Sequence, residues 1–370
     1  MKNKRLRFLL VVDVLVALIA LVFVLIAMWN RPLGPSLVQS VDLPGQSVNT
    51  PVATSSGDSV TAVEPTPTPS SLLAHIATLL EPKSAAGKTL CGGPAVMNIL
   101  LIGSDERRSD YYYGLADSIR LVRVDFSTPS VTMLDFPRDL WVEIPGISEH
   151  YGITHAKLNQ AYFFGNPGMG YYDGAGQGPG LMAQTLQLNF GAHVDHYLAM
   201  DMQTFVRMVD AVDGIDIHID AKIDFNEGQD GADPTKVFEA GNYHLDGAQA
   251  LMFARDRNPT IFQRARYQTM VLKALEKKLL APAMIPVWPQ IIADFTQSVQ
   301  TDLSPSEISE LVCLAQSLTS DNISTVAFPD DMFASARTYD PYRQVYTFTL
   351  EADFNRIRTY VADFMNGIWP

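Results

Sequence analysis

Residues 96–135 contain apolar runs and one alternating segment, and this pattern of apolar and polar residues predicts β-strands. Val96–Ile102 is a mostly apolar run that ends at Gly103, as expected of a strand buried within a sheet. Ser118–Phe126 is rich in Val, Leu and Ile, and Ser130–Asp135 has an alternating character. The pattern therefore predicts three strands near the start of a globular region.

Helical spacing of apolar residues replaces this alternation further along the chain. Met202–Val212 has its apolar residues three to four positions apart, followed by Gly214 and the apolar run Ile215–Ile219, which predicts a helix, its C-cap and a strand. Further predicted helices are Asp246–Arg255, Arg264–Leu280, Thr301–Ser317 and Leu350–Phe364. In the third of these, Ser304 and Glu307 form a capping-box pattern. Strands that alternate with helices predict an αβα sandwich with a central mixed sheet covered by helices.

A glycine-rich segment, Gly165–Gly180, separates the predicted strands from the helix at 202–212. It contains seven glycines in sixteen residues, and glycine at that density does not hold one conformation by itself. Two interpretations fit the composition: a mobile rim over a ligand site, or a plain surface insertion.

The N-terminus predicts a membrane anchor. Four basic residues within residues 1–7 precede an apolar run at residues 8–29 that is broken only by Asp13. A run of this length spans the ~30 Å hydrocarbon core as one helix. Because the cations precede the run, the positive-inside rule places the N-terminus in the cytoplasm and the remainder outside. A cleaved signal peptide is the alternative, but its apolar region would be shorter and would end in small residues.

The residues after the anchor predict an extracytoplasmic linker followed by one domain. Residues 30–90 are rich in Ser, Thr and Pro, a composition typical of a flexible tether. The globular part is expected to begin at Cys91, with a catalytic region at 91–280 and a C-terminal helical and strand portion at 281–370 packed on the same domain. Its size is within the range of one large α/β domain.

The two cysteines, Cys91 and Cys313, both lie on the predicted outer side. In an oxidising compartment an even count permits a disulfide, which would join the start of the domain to its C-terminal portion. Two separately buried thiols are the alternative. No cysteine or histidine spacing indicates a zinc site.

Four arginines stand out against an acidic chain of formal net charge −13. Arg255, Arg257, Arg264 and Arg266 fall within twelve residues, with no lysine among them. The planar guanidinium can hold phosphate in a bidentate manner, so the cluster predicts a site for an anion with several oxygens. The alternative is a solvated helix face. No basic surface of the kind that binds nucleic acid is evident.

Polar segments occur where the predicted strands end. They are Gly103–Arg108, Asp117–Ser118, Pro137–Asp139 and His155–Asn159. Ligands of α/β sheets collect beyond the carboxyl ends of strands, so Asp105 and Asp117 can converge on one hard cation. Mg²⁺ prefers one or two carboxylates together with phosphate oxygens and water. Arg138 would point into the same crevice.

Seven short motifs together resemble one known family. The segments NILLIGSD, DSIRLVRVD, FPRDLWVEIPG, KLNQAY, VDGIDIHI, LDGAQALMFARDR and RARYQ occur in the order found in the LytR-CpsA-Psr family. The resemblance covers roughly residues 95–280, and the single N-terminal anchor matches as well.

The resemblance implies an αβα sandwich whose hydrophobic pocket holds a polyprenyl chain, with the pyrophosphate against arginines and Mg²⁺. It implies phosphotransfer of a glycopolymer from a polyprenyl-pyrophosphate carrier to a hydroxyl of a cell-wall glycan. Asp105 and Asp117 match the metal-associated, catalytic carboxylates, and Asp105 is preferred as the group that takes the proton from the attacking hydroxyl. The implied pyrophosphate contacts are Arg138, which also counts as catalytic, Arg255, Arg257, Arg264 and Gln268.

Several positions depart from the family pattern. Leu115 stands where the family has an arginine beside Asp117, and Arg107 and Arg108 are the candidates to replace it. Asp135 replaces a small residue. Arg266 is expected to face away from the site, because residues two apart on a helix do not share a face.

The leading hypothesis is therefore a Mg²⁺-dependent glycopolymer phosphotransferase anchored in the cell membrane, with a polyprenyl-linked donor and a cell-wall glycan acceptor. A non-catalytic protein that binds polyprenyl phosphates and regulates envelope assembly would use the same arginines. A pyrophosphatase, with water in place of the sugar hydroxyl, is the third hypothesis.

Overall fold

The computed structural model describes residues 28–37, 89–106, 111–226, 233–255, 261–281, 283–295 and 298–369, without the side chains of residues 234, 261–265, 285 and 289. Residues 1–7, all but the last two positions of the predicted anchor at 8–29, and most of the linker at 30–90 lie outside these ranges. Within them, no helix combines the length and the apolar character needed to cross a membrane.

The described residues form fourteen strands and eight α-helices. The strands are β1 (Val96–Ser104), β2 (Ala116–Asp125), β3 (Ser130–Asp135), β4 (Trp141–Glu143), β5 (His155–Lys157), β6 (His196–Asp201), β7 (Ile215–Ile219), β8 (Ile223–Asp224), β9 (Val237–Phe238), β10 (Gly241–Leu245), β11 (Val299–Thr301), β12 (Ile323–Ala327), β13 (Phe333–Asp340) and β14 (Val345–Ala352). The helices are α1 (Leu158–Gly165), α2 (Gln177–Phe190), α3 (Met202–Ala211), α4 (Gly247–Arg255), α5 (Ile261–Leu279), α6 (Trp288–Phe295), α7 (Pro305–Ala315) and α8 (Phe354–Met365).

A six-stranded mixed sheet forms the centre of the fold, in the order β11-β6-β1-β2-β3-β12. β1 pairs antiparallel with β2 and parallel with β6, and β12 runs parallel to β3. The predicted mixed α/β fold with a central sheet is therefore confirmed. Residues after 281 supply both edge strands, β11 and β12, so this C-terminal portion completes the sheet.

The alternation within β1 divides the core between the two faces of the sheet. Leu100 and Ile102 pack into the largest cluster, together with residues of α1, α2 and α8. Ile99 packs on the opposite face with Leu314 of α7. Because successive side chains of a strand point to opposite faces, one apolar strand contributes to two cores. A third cluster joins α3, α4 and α5 to β7 and β10.

Most predicted elements that flank the site are present, with shifted ends. α7 begins after Ser304, whose hydroxyl accepts a hydrogen bond from the Glu307 amide in the predicted capping box. The last helix begins at Phe354, not at Leu350, because residues 345–352 pair with β13. Asp353 then caps the helix.

The glycine-rich segment joins α1 to α2, and its glycines permit close packing of the backbone. A Cβ atom on Gly165 would lie 2.8 Å from the carbonyl oxygen of Gln177, inside normal van der Waals contact. A Cβ on Gly178 would collide with the amide oxygen of Asn166. The composition of this segment therefore follows from the contact between two helices.

Two features fix the start of the domain. Cys91 and Cys313 form a disulfide with a Cα–Cα distance of 5.8 Å. Residues 31–37, which belong to the described part of the predicted linker, lie along residues 301–303. There the Leu33 amide donates to the Leu303 carbonyl at 3.2 Å, and the Leu37 amide donates to Asp302 Oδ2 at 3.2 Å.

Candidate functional site

Two cavities meet at the carboxyl end of β1 and the amino end of its antiparallel neighbour β2. The cavity that we call apolar has a volume of about 180 Å³ and is lined by Leu101, Ile102, Gly103, Ser104, Asp117, Ser118, Arg120, Leu198, Met200, Asp201, Met202, Phe205, Leu251, Ala254, Arg255, Gln268, Val271 and Leu272. The cavity that we call polar has a volume of about 350 Å³ and is lined by Asp117, Ser118, Ile119, Asp135, Phe136, Pro137, Arg138, Asp139, Arg266, Gln268, Thr269, Thr325, Ala327, Phe328, Asp330, Phe333 and Leu350. Asp117, Ser118 and Gln268 border both cavities, so the two meet at these residues.

Asp105 follows the last residue of β1 and is held by the loop that leads into β2. Its amide donates to the Leu115 carbonyl at 2.9 Å, and the Leu115 amide donates to Asp105 Oδ1 at 2.6 Å. Gly114 adopts a φ of +122°, a conformation that L-residues with a Cβ rarely adopt. A Cβ on Gly114 would also lie 2.5 Å from Ser104 Oγ. Glycine at this position therefore permits the turn that fixes Asp105.

The environment of Asp105 raises the pKa of its carboxyl group. Burial is the largest cause, the hydrogen bond from Leu115 opposes it, and the negative charge of Asp117 raises the pKa further. Arg138 lowers it without cancelling these effects. Two neighbouring carboxylates whose charges are not fully compensated are the arrangement that a bound cation stabilises.

The pair fits a cation whose other ligands come from substrate and water. Within the described ranges, no group of three or more His, Cys, Asp or Glu side chains is placed to hold a metal. Asp105 and Asp117 are the carboxylates that would hold such a cation. Mg²⁺ characteristically takes one or two carboxylates and completes its shell with phosphate oxygens and water.

Arg138 follows β3 and is fixed by carboxylates on two sides. Its Nη1 forms an ion pair with Asp117 Oδ1, and its Nε lies 3.3 Å from Asp139 Oδ2. Lys157, at the end of β5, pairs with the other oxygen of Asp139 at 3.0 Å. Asp139 is 4% exposed, so this network sets the orientation of Arg138 before any ligand binds.

The arginine-rich segment reaches the cavities through α4 and α5. Arg255 ends α4, is exposed and borders the apolar cavity. Gln268 Nε2 donates to the Ala254 carbonyl at 3.0 Å, which ties α5 to the end of α4. Arg257 lies outside the described residues, and Arg264 is described only as a backbone position in α5. Their predicted contacts, like those of Arg107 and Arg108, remain predictions.

We expected Arg266 to face away from the site, because it lies two residues from Arg264 on a helix. The structure differs from this expectation. Arg266 borders the polar cavity and lies 3.5 Å from Asp330 Oδ2. The expectation failed because residues 325–333 build a second wall, on a side of α5 that the motifs do not reveal.

A buried ion pair between Arg120 and Asp135 was not predicted. These residues are cross-strand partners of β2 and β3, and Arg120 Nη2 lies 2.9 Å from Asp135 Oδ2. The same nitrogen donates to Thr269 Oγ1 of α5 at 3.3 Å. Arg120 borders only the apolar cavity and Asp135 only the polar one, so the pair forms part of the wall between them. The departure from the family pattern at Asp135 was a sequence signal for this ion pair. Its partner, Arg120, could be identified only from the register of β2 and β3.

Comparisons with known proteins agree with this geometry. The model of the LytR_cpsA_psr family matches residues 88–355, which is more than half of the chain. The curated relative "Polyisoprenyl-teichoic acid--peptidoglycan teichoic acid transferase TagU" of Oceanobacillus iheyensis is 32% identical over 219 residues. The match covers 58% of this chain and 62% of that relative, so the chain spans about three fifths of the relative's length.

Solved structures share the fold. TagV of B. subtilis matches with a TM-score of 0.55 and 22% identity, over 75% of this chain and 100% of TagV. A structure of TagT bound to LIIa-WTA matches with a TM-score of 0.54 and 19% identity, over 77% of this chain and 94% of TagT. At these identities the likeness establishes the arrangement of the backbone.

Proposed function

Since the chain belongs to the LytR_cpsA_psr family, we propose that it transfers a glycopolymer from a polyprenyl-pyrophosphate carrier to a hydroxyl of a cell-wall glycan. The protein would act outside the cell membrane, anchored by residues 8–29. The relative TagU is named as a transferase of teichoic acid to peptidoglycan, and a TagT structure is described as bound to LIIa-WTA. These names support the class of donor and acceptor.

The apolar cavity would hold the first part of the polyprenyl chain. Its lining residues include Phe205, Leu251 and Leu272, which offer the apolar surface that an isoprenoid requires. Its volume of about 180 Å³ is below the ~300–1,000 Å³ typical of small-molecule pockets. The cavity would therefore take the isoprenoid units next to the phosphate, and not the entire lipid.

The pyrophosphate would lie where the two cavities meet. Gln268 borders both cavities, Arg138 borders the polar one and Arg255 borders the apolar one, and Arg257 and Arg264 belong to the same segment as Arg255. Phosphoryl transfer requires mainly that the protein position the phosphates and neutralise the charge on their oxygens. Arginine supplies that charge together with directed N–H donors.

The acceptor hydroxyl would attack the phosphorus that carries the glycopolymer. An O–P bond to the acceptor forms, the P–O bond to the bridging oxygen breaks, and polyprenyl phosphate leaves. Asp105 would accept the proton of the hydroxyl, because a carboxylate within hydrogen-bond reach of the attacking group can act as the general base. Mg²⁺ bound by Asp105 and Asp117 would neutralise charge on the phosphate oxygens. Arg138 would hold Asp117 in place through their ion pair.

One observation carries the proposal: Asp117, which forms an ion pair with Arg138, borders both the apolar and the polar cavity, and the charge of Asp117 acts on Asp105, which follows β1 and lines neither cavity. The test is a reconstituted assay with a polyprenyl-pyrophosphate-linked glycan, a cell-wall glycan acceptor and Mg²⁺. We expect Asp105→Ala and Arg255→Ala to reduce transfer by about 10²–10³-fold, the usual cost of removing one group that stabilises transition-state charge.

Asp220→Ala is the matched control, because Asp220 is 95% exposed and borders neither cavity. Unchanged transfer in the two site variants would contradict the mechanism. Lipid binding without turnover would support the non-catalytic hypothesis instead, and release of free glycan phosphate would indicate a pyrophosphatase.

A further inference from the structure

One wall of the polar cavity is not used by the phosphate chemistry proposed above. It consists of Phe328, Asp330 and Phe333, from the segment that connects β12 to β13, together with Arg266 of α5. Arg266 belongs to the motif RARYQ, but Phe328, Asp330 and Phe333 lie outside the motifs that identified the family. The wall nevertheless lines the same cavity as Asp117 and Arg138.

We propose that this wall is a carbohydrate subsite, which binds the sugar ring adjacent to the reacting phosphorus. The inference rests on the proposed function, because it takes the junction at Asp117 as the place of the phosphate. The ring is either the first sugar of the donor or the sugar that bears the attacking hydroxyl. Both have the same chemistry, with an apolar C–H face and a rim of hydroxyl groups.

The size and lining of the polar cavity suit such a ring. Its volume of about 350 Å³ is at the lower end of the range for small-molecule sites. Phe328 and Phe333 provide aromatic surface for the C–H face, while Asp330 and Arg266 provide an acceptor and donors for hydroxyl groups. The apolar cavity, in contrast, offers mostly aliphatic and aromatic side chains to a ligand.

The aromatic part of the wall is rigid. Phe328 is 5% exposed, and its ring centroid lies 5.5 Å from that of Phe136, 6.1 Å from that of Phe333 and 6.2 Å from that of Trp369. Aromatic pairs at these separations are mutually stabilising. A ligand would therefore meet a preformed surface, which lowers the entropic cost of binding.

The charged part of the wall is adaptable. Arg266 and Asp330 lie 3.5 Å apart, with side chains 70% and 58% exposed. An ion pair this exposed contributes little to stability, so either group can exchange its partner for a sugar hydroxyl at small cost. Hydrogen bonds to charged groups contribute more to binding than those between neutral groups. Binding of a sugar hydroxyl would give Arg266 a role in the arginine cluster other than contact with the pyrophosphate.

The test measures binding of a sugar without any phosphate transfer. The full chain in detergent is titrated with a peptide-free tetrasaccharide of peptidoglycan by calorimetry, and in a second arm with a short-chain polyprenyl pyrophosphate, with and without its attached glycan. We expect Asp330→Ala and Phe333→Leu to weaken binding about tenfold in one arm. Asp331→Ala is the matched control, because it is adjacent, 73% exposed and absent from the cavity lining.

The two arms distinguish the source of the sugar. Loss confined to the tetrasaccharide identifies an acceptor subsite, and loss confined to the glycan-bearing donor identifies a donor subsite. Equal losses in Asp330→Ala and Asp331→Ala, or no loss in either arm, would overturn the inference. If transfer fails in every assay while the tetrasaccharide still binds through Asp330, the proposed function is wrong and the subsite stands.

Discussion

The two cavities differ in where their residues lie along the chain. The apolar cavity is built entirely from residues 101–272, whereas the polar cavity takes one wall from residues 325–350. Only the shared edge at Asp117, Ser118 and Gln268 joins them. The comparison teaches that the cavity proposed for the lipid is built from the part of the chain that carries the short family motifs, whereas the cavity proposed for the sugar also needs residues 325–350, which lie beyond those motifs.

The largest expected effect concerns the wall between the cavities. Asp135→Ala leaves Arg120 as an uncompensated buried charge, and Arg120 Nη1 already has no hydrogen-bond partner among the described residues. Breaking a buried ion pair from one side costs ~3–5 kcal/mol, so we expect a loss of that size in the free energy of unfolding, measured with urea. The double variant Arg120→Met with Asp135→Ala should recover most of it. If the Asp135→Ala variant were as stable as the parent protein, the ion pair would not stabilise the wall between the cavities.

A smaller effect is expected where the cavities meet. Gly114→Ala forces a Cβ against Ser104 at a φ of +122°, and such strain costs ~1–3 kcal/mol. Because Gly114 adjoins the residue that holds Asp105, we expect transfer to fall together with the melting temperature. Gly152→Ala is the control. Gly152 also has a positive φ, of +67°, but no atom lies within 4 Å of its Cβ position, so this variant introduces backbone strain without a steric contact. Equal loss of transfer in both variants would rule out a specific role for the contact.

A change in the apolar cavity should leave the polar one unaffected. Phe205→Ala removes apolar lining from the former only, and burial of a phenylalanine against a ligand is worth ~1.5–3 kcal/mol at most. We expect polyprenyl phosphate to bind about tenfold more weakly, with binding of a peptidoglycan tetrasaccharide unchanged. Val345→Ala, a change at a residue 47% exposed and outside both linings, is the control. Equal losses for both ligands would show that the cavities are coupled.

The smallest expected effect lies outside both cavities. Burial lowers the pKa of His196, but Asp302, Glu307 and Asp195 together raise it above its ordinary value of 6.5. The resulting stabilisation is fully present below about pH 6.5 and is lost as the pH rises through the raised pKa. The melting temperature should therefore fall from pH 6 to pH 9 by more in the parent protein than in His196→Asn. Equal pH slopes would contradict this, and lipid and sugar binding should not distinguish the two proteins.

Local patterns predicted the elements that carry the phosphate site. β1, β2 and β3 are apolar or alternate clearly, and the helix after Ser304 carries its own capping signal. In contrast, α2 begins with Gln-Gly-Pro-Gly, which disfavours a helix locally and is overridden by packing against α1. β14 was assigned in part to a helix, although its sequence VYTFTLEA has β-branched and aromatic residues and Asp353 is a good N-cap.

Pairings between distant residues were the part of the site that the sequence did not reveal. Asp105, Asp117 and Arg138 lie at strand ends, and strand order alone brings them together. Arg120 and Asp135 meet through register, and Arg266 meets Asp330 across 64 residues. Such contacts depend on the packed structure, because no local periodicity encodes the partner of a single charged residue.

The disulfide between Cys91 and Cys313 would have a mechanical consequence if residues 8–29 anchor the chain as proposed. β1 begins at Val96, five residues after Cys91, and it pairs with both β2 and β6. Tension applied to the chain before Cys91 would pass through the covalent bond into α7, and not into the hydrogen bonds at the end of β1. A strand loaded directly would unzip one bond at a time, and the loop that carries Asp105 follows that strand. The disulfide would thereby divert into α7 a pull that reaches Cys91, before that pull loads the strand that leads to Asp105.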